Sequence, residues 1–137
     1  MVWWWCAQIF KEYETKILIR KTALLDYMAQ AKQRSLKIAA YGASTTVTTL
    51  MYHFELTDKL AYLIDDNTKK HGMYSPGCHL EVKPSSVLYG EDRPDVVVVL
   101  AWQYAQPIMT KNAAFLETGG SFVVPLPDLK IYPSVGA

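Results

Sequence analysis

The chain is poor in the features that usually name a chemistry. It has two cysteines in 137 residues, Cys6 and Cys78, far apart and matching no C-x-x-C or zinc spacing. Incidental thiols in a reducing cytoplasm are the expectation. Of seven glycines, only Gly42 falls between residues 1 and 71, so a G-x-G-x-x-G dinucleotide fingerprint is missing there. No G-K-[ST] occurs, which excludes a P-loop. Charge of one sign is also lacking: 14 basic and 13 acidic residues leave +1, and net charge names no partner. No apolar run is long enough to cross a bilayer. The opening MVWWWCAQIF lacks a basic start, and Lys11, Glu12 and Glu14 follow it without a cleavage site, so neither a membrane span nor a signal peptide is expected. The length leaves no room for separate cofactor and substrate domains.

What is present fits one globular domain. Hydrophobic residues make up 50% and charged residues 20%. A chain of this size buries roughly 65–70% of its extended surface and needs no disulfide or metal to hold a core. Charge is unevenly spread. Residues 1–40 carry a net of +4, and residues 41–137 a net of −3. A basic first segment could meet an acidic partner, RNA included, but its cations are not interleaved with aromatics in a stacking pattern, which argues against nucleic acid.

The patterning divides the chain into residues 1–35, a long amphipathic helix with its leading segment, and residues 36–137, an α/β unit. Over 8–34, Phe10, Tyr13, Ile17, Leu24, Met28 and Ala31 recur at three- and four-residue steps, and Leu18 and Leu25 widen the stripe. Such a helix is about 40 Å long. A domain of about 100 residues has a radius of gyration of about 13 Å. Part of the helix should therefore project, bend or pack on another chain, and Trp3, Trp4 and Trp5 ahead of it suggest a packing surface. A homo-oligomer formed through this helix is one expectation.

Beyond residue 36 the period changes. Strands are expected at 37–42, 60–64, 78–82, 96–101 and 121–124. Helices are expected at 44–54 and 104–117, with a helical turn at 84–88 and an irregular proline-bearing tail. Strands alternating with helices give a mostly parallel sheet. The expected fold is a small Rossmann-like, three-layer α/β domain of about five strands. Ligands of such sheets gather at the carboxyl ends of the strands. There Gly42 permits a tight turn, Ser44 or Thr45 can cap the next helix, and the turn Gly42-Ala43-Ser44-Thr45-Thr46 could face a phosphate. Asp65 lies 23 residues after Gly42, near the distance at which an acidic residue meets a ribose, although Asp65, Asp66 and Asn67 could equally cap the following turn. His71, Tyr74 and His79 bring polar aromatics to the same edge. Trp102, Gln103 and Tyr104 follow the central strand and could stack on a base or close the core. No nucleophile–base pair, paired carboxylates or metal-ligand spacing is legible.

The order of motifs is informative. AAYGASTTVTTLMYHF, YLIDDNTKKHGMYSPGCHLEV, PDVVVVLAWQYAQPIM and GGSFVVPLPDLKIY follow one another at separations that resemble the C-terminal domain of sugar C-methyltransferases, over about residues 8–132. These are S-adenosylmethionine-dependent enzymes that methylate a carbon of a nucleotide-linked deoxysugar. The resemblance implies a Rossmann-like domain that helps hold a nucleoside-diphosphate sugar. S-adenosylmethionine and zinc belong to companion domains, so no cofactor is expected on this chain. Three positions depart from the family pattern. Thr46 stands where a Lys is common, Gln103 where A-W-N has Asn, and Thr68 where D-x-N-P-x-K-x-G has Pro. No catalytic residue carries over. The expected ligand residues are Gly42, Ala43, Ser44, Thr45, Thr46, Asp65, Tyr74, His79 and Trp102. The expected partner is a methyltransferase chain or a second copy. The alternative is an interaction module with no small-molecule site.

Overall fold

In the computed structural model, residues 2–75, 79–126 and 129–132 are described, and for Val2–Phe10, Tyr13, Ile17, Thr45 and Thr46 the backbone alone. The elements in chain order are α1 (Val2–Gln33), β1 (Ile38–Tyr41), α2 (Thr45–His53), β2 (Leu63–Ile64), β3 (Val82–Lys83), β4 (Val96–Val99), α3 (Ala105–Lys111), α4 (Ala113–Glu117), β5 (Ser121–Val124) and β6 (Lys130–Tyr132). Short 3-10 turns lie at Thr68–Lys70, Ser85–Tyr89 and Trp102–Tyr104.

The strands form one sheet in the order β3-β2-β1-β4-β5-β6. All neighbours are parallel except β5 and β6. The chain moves outward from β1 in one direction and from β4 in the other, so the switch point of this Rossmann-like sheet lies between them. Val96–Val99 are four β-branched residues buried on both faces, as a central parallel strand requires. Each contributes about 1.5–3 kcal/mol by leaving water.

Alternation along the strands sorts the core into two layers. Ile38, Ala40, Leu63, Val96, Val98 and Val123 face α1 and α2, which supply Leu24, Met28, Ala31, Val47, Met51 and Phe54. Ala39, Tyr41, Ile64, Val97, Val99 and Phe122 face α3 and α4, which supply Ala105, Ile108 and Phe115. Among the described side chains of α1, it is those of the second half, Leu24, Met28 and Ala31, that are buried in the core. Glu12, Glu14, Lys16, Leu18 and Ile19 of its first half are exposed.

Four expectations need correction. First, α1 begins at Val2 rather than residue 8, so its 32 residues extend about 48 Å. Second, β2 and β3 shrink to two residues each, and β3 starts at Val82, where the expected strand ended. Third, the helix expected over 104–117 breaks at Asn112. That buried side chain donates from Nδ2 to the Ile108 carbonyl at 2.9 Å, competing with the helical ladder. Fourth, the tail is not wholly irregular: Ile131 and Tyr132 alternate onto the two core layers as an antiparallel edge strand, which makes six strands. The readings placed on Trp3, Trp4, Trp5, Cys6 and Cys78 lie outside the described residues or side chains.

Candidate functional site

Gly42 closes β1 at φ +122°, where L side chains are strained. A Cβ there would stand 2.9 Å from Val47 Cγ2 and 3.2 Å from Ala101 Cβ. The backbone must therefore turn tightly under the start of α2. Ser44 caps that helix, accepting from the Val47 amide at 3.2 Å.

Asp65, just after β2, fastens this turn to the next one. Its Oδ2 accepts from the Ala43 amide at 3.0 Å, and its Oδ1 from the Asn67 amide at 2.8 Å. Lys70 stands 3.8 Å from Oδ2 and donates to the Ala43 carbonyl at 3.0 Å. His71 Nε2 donates to the Asp65 carbonyl at 2.7 Å. The expected phosphate position ahead of α2 therefore already faces a carboxylate. The Gly42 amide is likewise used, bonding to the Ile64 carbonyl at 2.6 Å.

Beside this fastening runs a groove of about 580 Å³. One wall is α2 and the turn before it, with Ala43, Ser44, Thr48, Thr49 and Tyr52. The other is the stretch after β2, with Lys70, Met73, Tyr74 and Ser75, and the floor is Leu63 and Val82. The second wall is held by a return onto β3. The Gly72 amide donates to the Val82 carbonyl at 2.9 Å, and the Val82 amide to the Met73 carbonyl at 2.8 Å. Ser75 Oγ accepts from the Leu80 amide at 3.1 Å. Met73 and Tyr74 stand exposed at the rim, at 58% and 61%.

Of the expected ligand residues, Ala43, Ser44 and Tyr74 line the groove, while Gly42 and Asp65 shape it from behind. His79 is exposed at φ +53° with its ring centroid 6.4 Å from that of Tyr74, beside the groove rather than in its wall. Thr45 and Thr46 start α2, and their side chains lie outside the description. Trp102 is not brought to the groove. It is half-buried and packs against the core layer under α3, on the far side of the sheet. Lys70, Thr48 and Met73 were missed as candidates. Lys70 alone carried a signal, as the matching Lys of the D-x-N-P-x-K-x-G stretch.

Asp66 turns to that far side. Both its oxygens accept from the Tyr41 hydroxyl at 2.8 Å, and Lys111 stands 3.0 Å from Oδ1. Burial raises the Asp66 pKa, but the Lys111 and Tyr41 hydrogen bonds outweigh it and hold the carboxyl below its usual range. Burial, together with the Asp66 carboxylate, pushes the Tyr41 phenol up, so it stays a donor.

Among the described residues, no three His, Cys, Asp or Glu group as a metal site, and zinc has no donor set there. No described helix is long and apolar enough to cross a membrane.

A family model described as the C-methyltransferase C-terminal domain matches residues 6–127. The C-methyltransferase NovU of Streptomyces niveus is similar, with 32% identity over 95 residues, which are 69% of this chain and 22% of that protein. The chain thus spans about a fifth of the length of that curated relative.

Proposed function

The chain belongs to the C-methyltransferase C-terminal domain family, and on that premise we propose that it holds a nucleotide-linked sugar while methyl transfer takes place elsewhere. Elsewhere means another part of the enzyme or a partner methyltransferase chain in the cytoplasm. The groove between α2 and the 70–75 stretch carries this reading. It lies near the carboxyl ends of β1 and β2, where ligands of parallel sheets bind. Its volume is in the range of small-molecule sites, and it combines an aliphatic floor with hydroxyls and one lysine.

Calorimetry against thymidine, uridine and guanosine diphosphate glucose tests the proposal. At least one should bind in the micromolar to millimolar range, and Lys70→Ala should weaken it. S-adenosylmethionine added to this chain alone should neither bind nor turn over. Silence of all three sugars at millimolar concentration would sink the proposal.

A second reading has its own observation. Leu18 and Ile19 of α1 are 59% and 63% exposed, ahead of Leu24, Met28 and Ala31, which the core buries. Helix α1 would then serve assembly, with a second copy or with the methyltransferase chain. Light scattering giving a monomer at micromolar concentration removes the second-copy form.

A further inference from the structure

Resting on that nucleotide-sugar reading, we infer that the groove takes the uncharged, flat end of the ligand, the nucleoside, and leaves the diphosphate outside. Charge is the first argument. Lys70 is the one cation among the described lining residues, and it already lies against the Asp65 carboxylate and the Ala43 carbonyl. The Lys70–Asp65 pair is neutral in sum. A diphosphate needs converging cations or unspent amides, and of the amides after β1 those of Gly42 and Ala43 are held by the Ile64 carbonyl and by Asp65. A phosphate placed there would meet that carboxylate at close range and be repelled.

Shape and chemistry of the walls are the second argument. The Leu63 and Val82 floor is aliphatic, and Tyr74 stands exposed at the rim, where it could cover one face of a ring. Aromatic stacking tolerates any base, because every base has a π-face. The hydroxyls beside it have defined roles left to play. Ser44 Oγ accepts from Val47 and keeps its proton to donate. Thr48 Oγ1 donates to the Ser44 carbonyl at 3.1 Å and keeps its lone pairs to accept. A donor and an acceptor one turn apart above an apolar floor suit the polar edge of a nucleobase better than a string of phosphate oxygens.

Saturation-transfer NMR and calorimetry on the whole chain decide it, with thymidine, uridine and guanosine, the matching diphosphate glucoses, and inorganic pyrophosphate as probes. At least one nucleoside should bind within about tenfold of its diphosphate sugar. Transfer should be strongest at the base protons, and raising salt from 50 to 500 mM should change affinity by less than about threefold. Pyrophosphate should not compete. Tyr74→Ala should weaken nucleoside and diphosphate sugar alike by about tenfold or more, and Tyr74→Phe should restore most of it. Tyr74 is exposed, so circular dichroism of the variants should be unchanged. Diphosphate sugars that bind while their nucleosides stay silent, or that pyrophosphate displaces, would overturn this inference alone. Silence of every probe would overturn both it and the nucleotide-sugar proposal.

Discussion

The two faces of the sheet are covered unequally, although their strands are equally apolar. On the α3/α4 face, Phe115 and Phe122 meet edge to face at 5.2 Å, and Leu88 of the Ser85–Tyr89 turn completes the layer. On the other face, α1 and α2 fill the space over β1, β4 and β5, but a groove stays open beside β2 and β3. Strand composition does not explain this, since Leu63 and Ile64 are neighbours that look to opposite faces. The connection does. Between β2 and β3 the described residues hold one 3-10 turn and a return onto the edge strand, where a helix would normally cross. Asp65 and Asp66 show the same division at the scale of one peptide bond. Asp65 fastens loops behind the groove, and Asp66 holds Tyr41 and Lys111 on the closed face. An opening in such a domain is thus set by what a connection leaves out.

The largest effect should come from cutting into the closed face. Phe115 is fully buried, and Arg93 lies over its ring at 4.9 Å. Phe115→Ala should cost about 3–5 kcal/mol in urea unfolding, whereas Tyr74→Ala at the groove rim should stay within about 0.5 kcal/mol. Similar losses at the two sites would erase the distinction between the faces. Next in size is Gly42→Ala, at the joint between the groove wall and the switch point. The positive φ alone costs about 1–3 kcal/mol. The close approach of Val47 and Ala101 adds to it, so about 2–4 kcal/mol should be lost. A neutral Gly42→Ala would mean that α2 can shift away, and that the groove wall is softer than its hydrogen bonds suggest.

Much of this architecture was legible because its causes are local. The valine run of β4, Gly42 before α2, and Pro107 in the first turn of α3 each act within a few residues. The rest depends on partners distant in sequence. Asn112 breaks a helix because it is buried beneath it and also meets the Tyr89 hydroxyl at 3.1 Å, 23 residues away. β6 is hidden among prolines and becomes a strand only when Val123 and Val124 offer an edge. The motif order pointed to the family that the comparisons show. It did not show that Asp65 would occupy the anion position ahead of α2, or that Trp102 would turn to the opposite face from Tyr74, since both follow from which side of the sheet a loop leaves.

The smallest effect concerns how the closed face is pinned at its rim over β2 and β3. Lys37, just before β1, and Lys83, on β3, both bond to Asp92, and Lys83 also lies 4.6 Å from the ring centre of Tyr62, a member of the closed-face core. Hydrogen bonds from Lys37 and Lys83 lower the Asp92 carboxyl from 3.8 to about 2. A carboxylate held lower in the folded state adds stability above its unfolded pKa, and that share fades as pH falls through the folded value. The contribution should therefore be whole above about pH 5, mostly lost by about pH 2 and gone below it. Because Asp92 is exposed at the surface, the effect should be small and should shrink further in 0.5 M salt. Urea unfolding of the native chain and of Asp92→Asn at pH 5, 4, 3 and 2 measures it. The native chain should lose more stability than the variant between pH 4 and 2, and their curves should converge at the acid end. If the two lose stability in parallel, the closed face owes nothing to this clamp, and hydrophobic packing alone distinguishes it from the open one.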